Sequence, residues 1–132
     1  MPSEAHVRFA RIVFTIAGVY GLLVLTPMYF VFDLIGRQTP PPVTHPEFYY
    51  GFAGLGVVWQ IAFLMIASDP ARFRPMMIPS VLEKASYVIA VVVLYLEHRT
   101  GLRILTSAMG DATLGVLFVA AFLKTRPAPA KR

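Results

Sequence analysis

The segment Pro75–Leu96, PMMIPSVLEKASYVIAVVVLYL, decides the fold, because it reaches across a bilayer only if a glutamate and a lysine go in with it. Its uncharged part, Ala85–Leu96, has 12 residues. At 1.5 Å per residue that is about 18 Å, well short of a hydrocarbon core of about 30 Å. A helix starting at Pro75, a favoured first-turn residue, has 22 residues and spans about 33 Å. Glu83 and Lys84 then lie inside the bilayer or at its inner edge.

The flanking sequence repeats the pattern. Leu102–Leu123 is a run of apolar character with Asp111 in its middle, and it ends before Lys124-Thr125-Arg126. A further run from Pro46 to Ser68 stops at Asp69-Pro70, where proline disfavours helix in the residue before it. Nearest the N-terminus, Ile12–Phe32 holds 21 uncharged residues behind Arg8 and Arg11. A secretory h-region is about 7–15 residues and ends at small residues; this run ends in Met28-Tyr29-Phe30-Val31-Phe32, so a retained helix is expected. Pro27 predicts a kink late in it. Pro40-Pro41-Pro42 makes Gly36–Pro46 an extended loop, and Thr44-His45-Pro46-Glu47 has the spacing of a capping box.

The expected architecture is therefore all-α, a polytopic membrane four-helix bundle, with spans at about 10–33, 46–68, 75–97 and 102–124. Residues 127–132 are expected to form a basic, disordered tail. Composition agrees: 57% of the 132 residues are hydrophobic and 14% charged, with a mean hydropathy of +0.65, far from a soluble domain. Within these residues four crossings are expected to leave only short loops between them. Cysteine is absent, which excludes disulfides, thiolate nucleophiles and cysteine metal sites.

Basic residues set the orientation. Arg8, Arg11, Arg72, Arg74, Lys124, Arg126, Lys131 and Arg132 fall on one side, and Arg37, Arg99 and Arg103 on the other. By the positive-inside rule both termini are cytoplasmic, and a bacterial inner membrane is the expected location. The net charge of +5 reads as topology and contact with anionic lipid. Nucleic acid is not an expected partner, because the charges flank spans and form no continuous patch.

Polar groups within spans should face the bundle, since lipid offers them no partner. Leu22, Thr26, Tyr29 and Asp33 share one helical face; Phe52, Gly56, Gln60 and Phe63 share another, with Trp59 beside it; Ser107, Asp111 and Gly115 share a third. Candidate ligand-binding residues are Asp33, Trp59, Gln60, Glu83 and Asp111. Trp59, away from the interfacial belts, is either core packing or a pocket wall. Asp111 is either interhelical glue held by hydroxyls or a ligand-facing acid. Adjacent helical residues point about 100° apart, so Glu83 is expected to face inward while Lys84 snorkels to the cytoplasmic headgroups. Ser80-Val81-Leu82-Glu83 also has capping-box spacing, in which Glu83 only caps a helix near the inner interface. His6, His45 and His98 stand at no metal-ligand spacing, so neither a metal nor another cofactor is expected.

Pro27 followed by Asp33-Leu34, the aromatic segment Pro46-Glu47-Phe48-Tyr49-Tyr50-Gly51-Phe52, and Gln60-Ile61-Ala62-Phe63 together resemble the four-span EXPERA group of sigma-2-receptor-like and emopamil-binding-protein-like proteins. The resemblance implies a lipid-accessible pocket for a sterol-like or amphiphilic cationic ligand, with Asp33 and Gln60 lining or bracing it. The family's acid four residues before the glutamine is Gly56 here, so double-bond isomerisation is not carried over. In size and span number the chain also resembles small bacterial DoxX-like proteins. The expected function is binding of a lipophilic small molecule or lipid in an intrabilayer pocket. The alternative is a structural or accessory subunit of a membrane complex or homo-oligomer without catalysis. Proton-coupled export resembling the small multidrug transporters ranks last, because their acid lies in helix 1 and Ile12–Phe32 has none.

Overall fold

The computed structural model describes residues 1–127 and is built from helices, with no strand among the described residues. The tail expected to be disordered lies, from residue 128 on, outside the described residues. Helix α1 (Glu4–Leu25) starts at Ser3, whose hydroxyl accepts from the His6 amide at 3.3 Å. At Pro27 the chain tightens into a 3₁₀ segment, Thr26–Phe30, so the expected kink takes the form of a change of helix type. A short helix α2 (Phe32–Gln38) follows and occupies the start of the stretch expected to be extended. Thr39 ends α2 by donating its hydroxyl to the Ile35 carbonyl at 2.7 Å.

Helix α3 (Pro46–Ser68) has His45 as its N-cap rather than Thr44, and no side chain caps it. The capping box therefore does not form; Glu47 instead meets His45 Nδ1 at 3.1 Å. Helix α4 (Met77–Leu96) follows a 3₁₀ turn at Arg74–Met76. The helix is already under way at Ser80, whose hydroxyl donates to the Met76 carbonyl at 2.7 Å, so the capping reading of Glu83 is replaced by one continuous helix. Its far end closes in a Schellman arrangement, with Arg99 N–H on Leu94 O at 2.8 Å, His98 N–H on Tyr95 O at 3.0 Å and His98 at φ 57°. Helix α5 (Leu102–Lys124) is the last helix among the described residues.

Four helical stretches, Glu4–Phe30, Pro46–Ser68, Arg74–Leu96 and Leu102–Lys124, are long and apolar enough to cross a membrane. They pack in the order α3, α1, α5, α4: α1 lies against both α3 and α5, α4 lies against α5, and α3 and α4 scarcely touch. Close approach of α1 to α3 depends on Gly21, where a Cβ would overlap the Gln60 amide group, and on Gly18, where it would come within 2.7 Å of Leu64. These positions behave as the small residues expected of membrane-helix interfaces. Between the helices, toward the end that carries the chain termini, Phe14 stacks on Phe118 at 4.2 Å and Phe63 meets Phe118 edge-on at 5.0 Å.

Two arginines at that same end hold helix C-termini. Arg11 Nε donates to Ala67 O at 3.1 Å, and Arg74 Nε and Nη2 donate to Phe122 O at 3.2 and 3.0 Å. Each meets carbonyls that the helix leaves unpaired and complements the negative end of its dipole. The exterior is the reverse of a soluble protein. Leu23 is 71% exposed, Leu55 64% and Val116 69%, while Gln60, Ser80 and Lys84 are buried.

Candidate functional site

One turn beyond the phenylalanine cluster, toward the α2 end, the helices part around a cavity of about 250 Å³. Ala17, Gly21 and Val24 of α1, Phe52, Gly56 and Gln60 of α3, Glu83, Lys84 and Tyr87 of α4, and Ser107, Asp111 and Leu114 of α5 line it. The helical spacing explains the sequence of layers. Ala17, Gln60 and Leu114 face the cavity, and one turn nearer the termini Phe14, Phe63 and Phe118 close it off.

Lys84 is the centre of the site. Its side chain is 7% exposed, and Nζ lies 3.0 Å from Asp111 Oδ1 and 3.3 Å from Glu83 Oε2. Nζ also sits 5.3 Å from the centre of the Phe63 ring, a cation–π distance. The expectation that Lys84 snorkels to the headgroups is overturned. Met77, Ser80, Lys84 and Val91 are the buried residues of α4, spaced three, four and seven apart, which is a single helical stripe. Gly115 leaves room opposite it, with the position of its absent Cβ 3.4 Å from Lys84 Cβ. Asp111 supplies the counter-charge one turn away, so the ammonium has a partner inside the bundle.

Glu83 also reaches the cavity. Adjacent helical residues point about 100° apart, which would keep only one of the pair there, but the long Glu83 side chain curls from beside the stripe to reach the Lys84 ammonium. Glu83 Oε2 is buried and accepts no aligned hydrogen bond; its contact with Lys84 is one of charge. Two carboxylates thus share a single ammonium.

Gln60 is 2% exposed and donates from Nε2 to Gly56 O at 3.0 Å, its side chain lying against the bare backbone of Gly21. Trp59 faces elsewhere. It packs on Phe63 at 6.0 Å and walls a groove of about 570 Å³ between α3 and α4, with Leu55, Pro79, Leu82 and Ser86. Phe52, Gly56, Glu83 and Tyr87 belong to both cavity and groove. Asp33 stands apart, exposed on α2 beside Arg37 and Tyr50 in a shallow surface hollow. Tyr29, its expected neighbour on one helical face, lines the same hollow, so the two stay together but outside the cavity.

Of the five residues singled out from the sequence, the structure brings Gln60, Glu83 and Asp111 together, puts Trp59 in the adjoining groove and leaves Asp33 outside. Lys84 is the residue that sequence reasoning missed. The stripe through Met77, Ser80 and Val91 was the available signal. Among the described residues no three histidines or acids gather as a metal would require. Comparison with family models, with curated proteins and with solved structures returns no match.

Proposed function

We propose that this chain is a multi-pass membrane protein, with both termini on the cytoplasmic side, that holds a lipophilic small molecule or lipid in the cavity between its four long helices. Apolar residues cover the outside and the ionisable ones gather inside, an arrangement that suits hydrocarbon as solvent. The arginines that close α3 and α5, together with Arg8, Arg72, Lys124 and Arg126, make the terminal end the basic one, as for a cytoplasmic face.

One observation carries the ligand-binding reading: the bundle is not filled around Lys84. A cluster whose only task was to tie helices together would be expected in a close-packed interior. Here it borders a cavity whose wall is mostly apolar by area, with Gln60, Glu83, Lys84, Ser107 and Asp111 converging on it, as polar groups do in small-molecule sites. An EXPERA-like relationship is part of the proposal only through Gln60, since Asp33 lies off the cavity.

A second reading keeps a specific observation in its favour. Lys84 joins α4 to α5 through Asp111, so the cluster can act as structural glue in an accessory subunit. The readings separate in one experiment. Purified protein stripped of lipid and titrated with a total membrane lipid extract is expected to rise in melting temperature, and Asp111→Asn is expected to lose most of that rise. An equal rise in both proteins, or none in either, favours the structural role. Native mass spectrometry of gently extracted protein is expected to show a co-purified lipid on the parent chain.

A further inference from the structure

The cavity and the α3–α4 groove adjoin through Phe52, Gly56, Glu83 and Tyr87, and each lacks what the other has. The cavity is polar at its base and, at about 250 Å³, lies below the usual range of roughly 300–1,000 Å³ for small-molecule sites. The groove is larger, about 570 Å³, and its walls are Leu55, Trp59, Pro79 and Leu82. With α3 and α4 scarcely in contact, the groove opens sideways, where the neighbouring solvent on the reading above is hydrocarbon. Phe52 and Tyr87, ring centres 6.1 Å apart, stand at the junction.

We propose that cavity and groove form one site for a single-chain lipid with a small hydrogen-bond-donating head, an alcohol or an amine, bound with its head inside the bundle and its chain leaving between α3 and α4. The inference rests on the ligand-binding reading and gives that ligand its chemistry. Charge selects the head. Two carboxylates face one ammonium, and Glu83 Oε2 is buried without an aligned hydrogen bond, so a donor completes the site and a carboxylate head is repelled. Shape selects the tail: cavity and groove meet only along Phe52, Gly56, Glu83 and Tyr87, a narrow junction that suits one chain rather than two.

Trp59 provides the test, because it is the chain's single tryptophan and it lies in the groove. Full-length protein in detergent micelles is titrated with lipids of equal length carrying bromine at mid-chain, which quenches indole fluorescence on contact: an alcohol, an amine, a carboxylic acid and an alkane. The alcohol, the amine or both are expected to quench saturably, whereas the acid and the alkane quench only in proportion to their amount in the micelle. Saturation by the amine alone assigns a cationic head, and saturation by the alcohol a neutral one. Glu83→Gln combined with Asp111→Asn is expected to weaken the saturable phase roughly tenfold or more, the worth of a hydrogen bond to a charged acceptor. Ser86→Phe, at an exposed groove position clear of the core, is expected to abolish quenching and leave the fold intact. Equal quenching by all four lipids, or saturable quenching that survives Ser86→Phe, overturns the proposal. Should the alcohol or amine raise the melting temperature in an Asp111-dependent way without reaching Trp59, the chain's exit through the groove falls while cavity binding stands. If none of the lipids stabilises the protein, both fall.

Discussion

Lys84→Met is expected to destabilise the protein by about 3–5 kcal/mol, the cost of stranding buried charge when one partner of an ion pair is removed. The effect follows from position. Nζ lies 3.0 Å from Asp111 and 3.3 Å from Glu83, and the side chain is almost wholly enclosed. With the ammonium gone, two acids face each other in an apolar bundle. Replacing all three groups together, with Glu83→Met, Lys84→Met and Asp111→Leu, is expected to recover most of the loss, because apolar side chains of similar size remove the desolvation penalty along with the attraction. Reversible unfolding in mixed detergent measures both variants. A triple variant as unstable as Lys84→Met would show that stranded acid charge is not the source of the loss.

The second large effect is expected at Phe14. Its ring is fully buried, stacked on Phe118 at 4.2 Å and 6.0 Å from Phe63. In a bilayer the gain from leaving water is absent, so the loss in Phe14→Ala is one of dispersion contacts and of the void left behind. About 3 kcal/mol is expected on the scale of such truncations. Phe14→Leu, which keeps most of the volume, is expected to retain the greater part of the stability. Since Phe14 lies one turn from Ala17, the alanine variant also extends the cavity toward the terminal end. A loss under about 1 kcal/mol, no more than an ordinary surface change, would mean that this layer is not the packed closure of the site.

The four long helices were legible because length and hydropathy govern a membrane helix more strictly than any other element. The arithmetic on Ala85–Leu96 alone required Glu83 and Lys84 to enter the span, and α4 does run through both. The faces through Phe52, Gly56 and Gln60 and through Ser107 and Asp111 were also readable, since helical spacing fixes which residues share a side. What failed was local. Proline at position 27 announced a disturbance without saying that a 3₁₀ turn and a separate α2 would leave Asp33 at the surface. The orientation of Lys84 depended on a partner from another helix. Snorkelling and a buried ion pair are both open to a lysine two turns inside a span, and the presence on α5 of Asp111, one turn from the Gly115 that faces Lys84, decides between them. The groove beside Trp59 arises from the order of the helices, which leaves α3 and α4 facing each other with little contact, and no single segment encodes that.

All of this depends on four crossings with the termini and the α3–α4 connection on one side. Because the chain has no cysteine, single replacements report location without interference. Ser3→Cys, Ala71→Cys, Thr39→Cys and Thr100→Cys, each made alone, are treated in oriented membrane vesicles with a maleimide that cannot cross the bilayer. Cysteines at 3 and 71 are predicted to react only from the cytoplasmic face, and those at 39 and 100 only from the opposite face. Labelling of all four from the same face would contradict the four-crossing architecture and the buried site derived from it.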